Sequence, residues 1–239
     1  ASVNIIGDDN DTLILSGLWI KTGNLVSGRV EYQLTANGNT YKAYADPAIN
    51  IVSRLIGTNQ NDTLIGSGAG DYIDGGLGND SIIAGGGNDT IISGAGNDTI
   101  LGGIGIDLLD ASNATTNLTI TLGQFGGQGN LSDGNNTSAG QGTDVIFGIE
   151  NILSGNGDDT ITGSEEWNVL DGGEGSDSIL GGAGRDTLIG GAGNDTLDGG
   201  ADNDTLIGGL GADTLRGGDG IDLADYQGVT GSLTINLAR

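Results

Sequence analysis

Aliphatic residues return every nine positions along most of this chain. They stand at Leu64, Ile73, Ile82, Ile91, Ile100 and Leu109, then at Ile161, Leu170, Ile179, Leu188, Leu197, Leu206 and Leu215. Each copy reads outward, inward, outward, which describes a three-residue strand with one buried position. Thr commonly precedes the aliphatic residue and favours strand geometry. Two residues ahead of each aliphatic position stands an acid or its amide: Asp62, Asp71, Asp80, Asp89, Asp98 and Asp107, then Asp159, Asn168, Asp177, Asp186, Asp195, Asp204 and Asp213, while Asp222 precedes the small Ala224. Glycines cluster before each of these, as in Gly190-Gly191-Ala192-Gly193-Asn194-Asp195. The unit is therefore Gly-Gly-x-Gly-x-Asp-x-aliphatic-x.

One loop and one short strand cannot enclose a core. Two repeats form a rung with two facing strands, and stacked rungs bury a ladder of aliphatic side chains between two parallel sheets. The first block supplies three such rungs and the second four. The glycines permit positive φ and close approach of backbone. Asn at the fifth position tolerates the same left-handed region.

The period fails in three places. Within 16–55, Val30–Thr35 and Thr40–Tyr44 flank Ala36-Asn37-Gly38-Asn39, and Asn-Gly between alternating runs predicts a hairpin. This stretch also gathers Trp19, Tyr32, Tyr41 and Tyr44 with Lys21, Arg29, Lys42 and Arg54, a decorating sheet or a contact surface. Within 111–153, Asn117–Leu122 alternates as a strand, 123–142 reads as loop, and 148–153 reads as a widened rung. Residues 103–122 resemble 218–237 at an offset of 115, so a further cassette begins near the end. The expected organisation is an isolated repeat at 1–15 around Asp11, a hairpin insertion at 16–55, a first block at 56–110, an insertion at 111–153, a second block at 154–225, and the start of another cassette at 226–239. Both ends read as cuts through a longer array, or as edges completed by a neighbour.

Composition narrows the chemistry. The net charge of −25 comes from 32 acids against 7 bases, which disfavours nucleic acid and anionic membranes as partners. Cys and His are both absent, so disulfides, thiolate metal sites, ordinary zinc ligation and Ser-His or Cys-His nucleophile pairs are excluded. No apolar run is long enough to span a membrane. Evenly spread acids in turns, with aromatics at only 4%, argue against paired-carboxylate sugar chemistry. A flat ice-binding face is disfavoured because the ninth position mixes residue types.

The nonapeptide resembles the repeats-in-toxin (RTX) family, over roughly 57–110 and 154–225, with weaker copies around Asp11 and Asp144. The resemblance implies an all-β fold, a calcium-loaded parallel β-roll (a β-solenoid) carrying the hairpin-containing N-terminal insertion. It places each ion between the loops of repeats n and n+2, held by Asp carboxylates and main-chain carbonyls, an all-oxygen ligand set that suits calcium. Carried onto this chain, the pairs are Asp62/Asp80, Asp71/Asp89, Asp80/Asp98, Asp89/Asp107, Asp159/Asp177, Asn168/Asp186, Asp177/Asp195, Asp186/Asp204, Asp195/Asp213 and Asp204/Asp222, about ten calcium sites. The carbonyls fall at Gly76, Gly78, Gly85, Gly87, Gly94, Gly96, Gly103, Gly105, Gly173, Gly175, Gly182, Gly184, Gly191, Gly193, Gly209 and Gly211. Ten divalent ions would offset most of the net charge of −25. Asn168 replaces Asp and Glu166 replaces a glycine, so that loop is expected to be weak or empty; the loop before Asp62 lacks its inner glycine, and Asp202 sits where it could reach an ion.

With no catalytic motif in this stretch, the chain is expected not to be an enzyme by itself. The leading reading is a calcium-binding structural module of a secreted bacterial surface protein, such as an adhesin, a surface-layer protein or an extracellular fibre. The resemblance implies export by type I secretion machinery and folding on external calcium. Head-to-tail self-association is a further expectation. The alternative is the C-terminal RTX region of a secreted hydrolase whose catalytic domain lies elsewhere.

Overall fold

The computed structural model of the chain describes residues 54–123 and 142–226, together with the backbone of strands Val3–Asn4, Leu13–Leu15, Leu18–Ile20, Gly23–Val26, Arg29–Ala36, Asn39–Ala45 and Gln128–Ser132. Asp11 and the segment 227–239 lie outside the described residues.

The nine-residue period becomes a two-sheet solenoid of parallel strands. Alternate repeats feed alternate sheets, so strands eighteen residues apart pair: Ser81 with Thr99 and Ile82 with Ile100 in one sheet, Thr90 with Tyr72 and Ile91 with Ile73 in the other. The first sheet has ten strands, from Thr63–Ile65 at one edge to Thr214–Asp219 at the other. The second has nine, from Arg54–Ile56 to Leu223–Asp225. Among the described residues, no helix is long and apolar enough to cross a membrane.

The inward column is the aliphatic series read from the period. Ile73, Ile91, Ile100, Leu109, Leu170, Leu188 and Leu197 are fully buried, and only Leu215, near the last described rung, is partly so. The next inward place is the first position of the following loop, which holds Gly or a small residue such as Ala84 or Ser93. The core is therefore thin, one aliphatic side chain per strand.

Two expectations about the insertion change. The stretch 123–142, read as loop, contains strand Gln128–Ser132, which pairs antiparallel with both Thr119–Thr121 and Thr143–Phe147. It fills what would otherwise be an open seam of unpaired backbone in the ten-stranded sheet. The sheet thus stays continuous from the first block to the second. The segment read as a widened rung yields an ordinary strand, Asn151–Leu153, joined to Leu108–Asp110 on one side and Val169–Asp171 on the other.

Strands Arg29–Ala36 and Asn39–Ala45 pair antiparallel, with Thr35 opposite Thr40 and Ala36 opposite Asn39. Strand Gly23–Val26 completes that three-stranded sheet. Strand Leu13–Leu15 pairs antiparallel with Val3–Asn4 and with Leu18–Ile20.

The inward column should carry the packing energy. Leu188→Ala should cost about 2–5 kcal/mol, whereas Ile83→Ala, at a site 37% exposed, should cost less than about 1 kcal/mol. Urea unfolding in saturating calcium separates them; equal costs would place the core elsewhere.

Candidate metal centre

The acidic position of the repeat turns inward at the mouth of each loop. Asp80, Asp89, Asp98, Asp107, Asp177, Asp186, Asp195 and Asp204 are each at least 97% buried, which is unusual for carboxylates without cationic partners. One oxygen of each is accounted for. Asp80 Oδ1 accepts from Asp62 N at 2.8 Å, Asp89 from Asp71 at 2.7 Å, Asp98 from Asp80 at 2.7 Å and Asp107 from Asp89 at 2.8 Å. The second block repeats this for Asp159/Asp177, Asn168/Asp186, Asp177/Asp195, Asp186/Asp204, Asp195/Asp213 and Asp204/Asp222, at 2.8–3.1 Å. All ten pairs expected from the resemblance are thus brought together by a direct hydrogen bond.

The second oxygen differs. Oδ2 of Asp80, Asp89, Asp98, Asp107, Asp177, Asp186, Asp195 and Asp204 is buried with no hydrogen-bond partner. A buried, unsatisfied, acceptor-only atom is costly. Burial accordingly raises these carboxyls: Asp80 and Asp186 to about 7, and Asp89, Asp98 and Asp177 to about 6, with stacked acids adding to the rise at Asp80, Asp89, Asp177 and Asp186. Asp107, Asp195 and Asp204 shift the same way for the same leading reason.

The loops explain why glycine is required around this oxygen. A Cβ on Gly181 would stand 2.5 Å from both Asp186 Oδ2 and the Gly199 carbonyl oxygen, so carboxylate and carbonyl converge on one place that a side chain would fill. All sixteen glycines expected as carbonyl donors have positive φ, as do Gly200, Gly218 and Gly220. At Gly193, φ is +145° and a Cβ would fall on the carbonyl oxygen of Gly175 in the rung below.

One expectation about loop residues is corrected. Asn at the fifth position is not left-handed; Asp202, with φ of 79°, is the one non-glycine residue of positive φ among those described. The Asn side chains instead bridge rungs: Asn61 Oδ1 accepts from Asn79 N, and Asn79 Oδ1 from Asn97 N, both at 2.9 Å. An oxygen acceptor with a short stem satisfies the outer amide of the next loop, which accounts for its recurrence. Asp202 occupies the third-glycine position, is exposed, and accepts from Gly184 N at 3.3 Å.

The carboxylate ladder also crosses the insertion, which the nine-residue phase did not reveal. Asp98 N donates to Asp144 Oδ1 at 2.9 Å, and Asp107 N to Glu150 Oε2 at 2.8 Å. Glu150 stands two residues before the buried Ile152, as each Asp stands before its aliphatic residue, and that spacing was the available signal. At the next step an apolar residue takes the acidic place, with Leu118 N donating to Asp159 Oδ1 at 2.7 Å.

Among the described residues no three acidic side chains cluster as a metal-binding group. Any cation here draws on one or two carboxylates and otherwise on main-chain carbonyls, an all-oxygen donor set that fits calcium and disfavours softer metals. Unsatisfied buried carboxylate oxygens, carbonyls converging beside them and space reserved by glycine all fit such an ion.

No curated protein matches the chain. The RTX calcium-binding nonapeptide repeat, as a unit of four copies, matches at 54–82, 75–109, 138–179, 153–188, 171–206 and 189–224. Those matches cover both blocks and the last part of the junction, from 138 onward, which is more than half of the chain, and with the two-sheet roll and its buried Asp ladder they place this chain in the RTX family of calcium-binding repeat proteins.

Proposed function

We propose that this chain is a structural module of a secreted bacterial surface protein, an adhesin or extracellular fibre, that becomes rigid on meeting external calcium. The observation that carries the reading is the ladder of buried Asp residues whose Oδ2 atoms lack any hydrogen-bond partner. RTX repeats are typical of secreted proteins that bind extracellular calcium, which supports export through type I secretion machinery and loading outside the cell. The proposed ligands are the Asp residues of the ten pairs and the carbonyls of the loop glycines, with Asp144 and Glu150 extending the series across the insertion; Asp62, Asp71 and Asp159, whose Oδ2 atoms already accept from their own loops, are the weakest of the set. Head-to-tail association of rods belongs to the same reading. It is supported by exposed Leu210, Ile221 and Leu223 near the last described rung, at 58%, 85% and 59%.

Calcium should be required for most of the β structure, because without it the stacked carboxylates repel across a rung spacing of about 4.8 Å. Circular dichroism of a chelated sample should gain its strand signal on calcium titration. Full strand signal in excess chelator would exclude the proposal.

The raised carboxyls set the sign of the pH dependence. Asp80 and Asp186 lie near 7 when folded, against an ordinary 3.8, so the folded chain holds these protons more tightly than the unfolded chain. In chelator this stabilisation is fully present below about pH 4 and is lost as pH rises through about 6–7. Chelated protein should therefore show more strand signal at pH 4 than at pH 8. The opposite order would mean that the carboxylates are not buried without calcium.

For self-association, sedimentation in saturating calcium should show particles growing with concentration. A single monomer boundary up to the solubility limit would remove that part of the reading.

A further inference from the structure

The loops that depart from the glycine pattern share a device of their own. Thr58 occupies the second loop position, and its N and Oγ1 donate to Asp62 Oδ2 at 2.6 and 2.8 Å. Ser67 N donates to Asp71 Oδ2 at 2.6 Å. Ser164 N and Oγ donate to Asn168 Oδ1 at 2.7 and 3.1 Å. In the loop that ends at Asp159, Ser154 holds the first position and its hydroxyl donates to Asp159 Oδ2. The second-position hydroxyls also tie down the loop itself, accepting from Gln60 N, Ala69 N and Glu166 N at 3.1, 3.2 and 3.1 Å.

The glycine loops ending at Asp80, Asp89, Asp98, Asp107, Asp177, Asp186, Asp195 and Asp204 contrast with these. Where the second position is Gly with positive φ, its amide does not meet the loop's own carboxylate, as at Gly76, Gly85 and Gly182, and Oδ2 of Asp80, Asp89 and Asp186 is left buried without a partner. Where that position is Thr58, Ser67 or Ser164, φ is not positive and the amide points at the loop's own acid or amide. N–H and O–H donors from the same loop satisfy the acceptor oxygen without a cation, although at Asp159 burial still raises the carboxyl against the Ser154 hydroxyl. At Asn168 the replacement goes further: its Nδ2 donates to the Glu150 carbonyl oxygen at 2.7 Å, a fixed donor linking rungs among oxygen acceptors.

These loops fall in adjacent pairs. Those ending at Asp62 and Asp71 make one rung, and those ending at Asp159 and Asn168 make another. Each rung directly precedes a run of glycine loops, 75–107 after the first and 172–222 after the second. We propose that these two rungs close without calcium, through hydroxyl and amide donors, and template the calcium-loaded runs that follow them. The templating half rests on the calcium reading above; the closure half does not.

Two measurements on the full chain test this. Hydrogen exchange in chelator should show amides of 154–171 exchanging slower than those of 178–206, by roughly tenfold or more; uniform exchange across both would overturn the proposal. Ser164→Gly combined with Glu166→Gly and Asn168→Asp restores the glycine pattern, so native mass spectrometry at saturating calcium should count more ions than in the wild type. The same variant should lose the slow exchange of 154–171 in chelator, while Ser164→Thr should keep it. An unchanged ion count, or slow exchange surviving the triple substitution, would overturn the closure mechanism. A wild-type chain that takes up no calcium would overturn the calcium reading, and the exchange pattern in chelator would still decide whether the rungs close unaided.

Discussion

The structure is governed by one electrostatic constraint, a column of carboxylates buried at the spacing of a β-sheet. A parallel solenoid puts equivalent residues about 4.8 Å apart, so an Asp in the repeat becomes a line of like charges by geometry alone. Backbone amides answer half of each carboxylate, as Asp71 N does for Asp89 Oδ1 at 2.7 Å. The other half, Oδ2, sets what the environment must supply. Three answers fit the chemistry of that oxygen: a divalent cation, a proton, or a hydroxyl and amide from the same loop. The glycine loops leave room for the first, the raised Asp80 and Asp186 carboxyls express the second, and Thr58, Ser67 and Ser164 provide the third.

The thin core follows from the same constraint. Asp186 Oδ2 and the Gly199 carbonyl oxygen crowd the place where a Cβ on Gly181 would stand, so the second inward position cannot carry a sizeable apolar side chain. That leaves one Leu or Ile per strand as the apolar contribution of each nine-residue repeat, a thin return for ordering nine residues of backbone. Backbone pairing between rungs contributes, and the remaining stabilisation has to come from whatever satisfies the carboxylates. Space that could have held core is thus reserved for oxygen ligands, which is the geometry that suits a calcium ion.

Much of this was legible from spacing. The period of nine fixes the inward column, the alternation between sheets and the pairing of acids eighteen apart, because each is a direct consequence of stacking identical units. The junction was not legible by the same means. Asp98 meets Asp144 across 46 residues and Asp107 meets Glu150 across 43, so counting in eighteens stops at the insertion. Strand Gln128–Ser132 was hidden because its sequence, Gln-Gly-Asn-Leu-Ser, lacks aliphatic alternation; it forms by pairing with strands on both sides. The Asn column was assigned the wrong cause. Its recurrence reflects a side-chain acceptor for the next rung, as in Asn79 Oδ1 with Asn97 N, rather than a backbone preference. The donors of Thr58, Ser67 and Ser164 are not legible from spacing, because nothing in the period places a second-position hydroxyl or amide against Asp62, Asp71 or Asn168.

The closed rungs bear on a problem that every ion-dependent solenoid faces. An ion held between loops of successive rungs has no site until both loops are in register, yet it is the ion that makes the register favourable. For a chain of identical glycine loops, the first rung must therefore form against loop entropy, with no metal to repay it. A rung whose carboxylates are satisfied by their own hydroxyls and amides escapes that circularity. The rung of Asp62 and Asp71 offers Asp62 N and Asp71 N as preset donors to Asp80 Oδ1 and Asp89 Oδ1, so the first glycine loops arrive with one carboxylate oxygen already placed. The rung of Asp159 and Asn168 does the same for Asp177 and Asp186, at 2.8 Å each. What these loops give up in ligands they return in order, and the insertion that separates the two blocks leaves each with a metal-independent rung at its start.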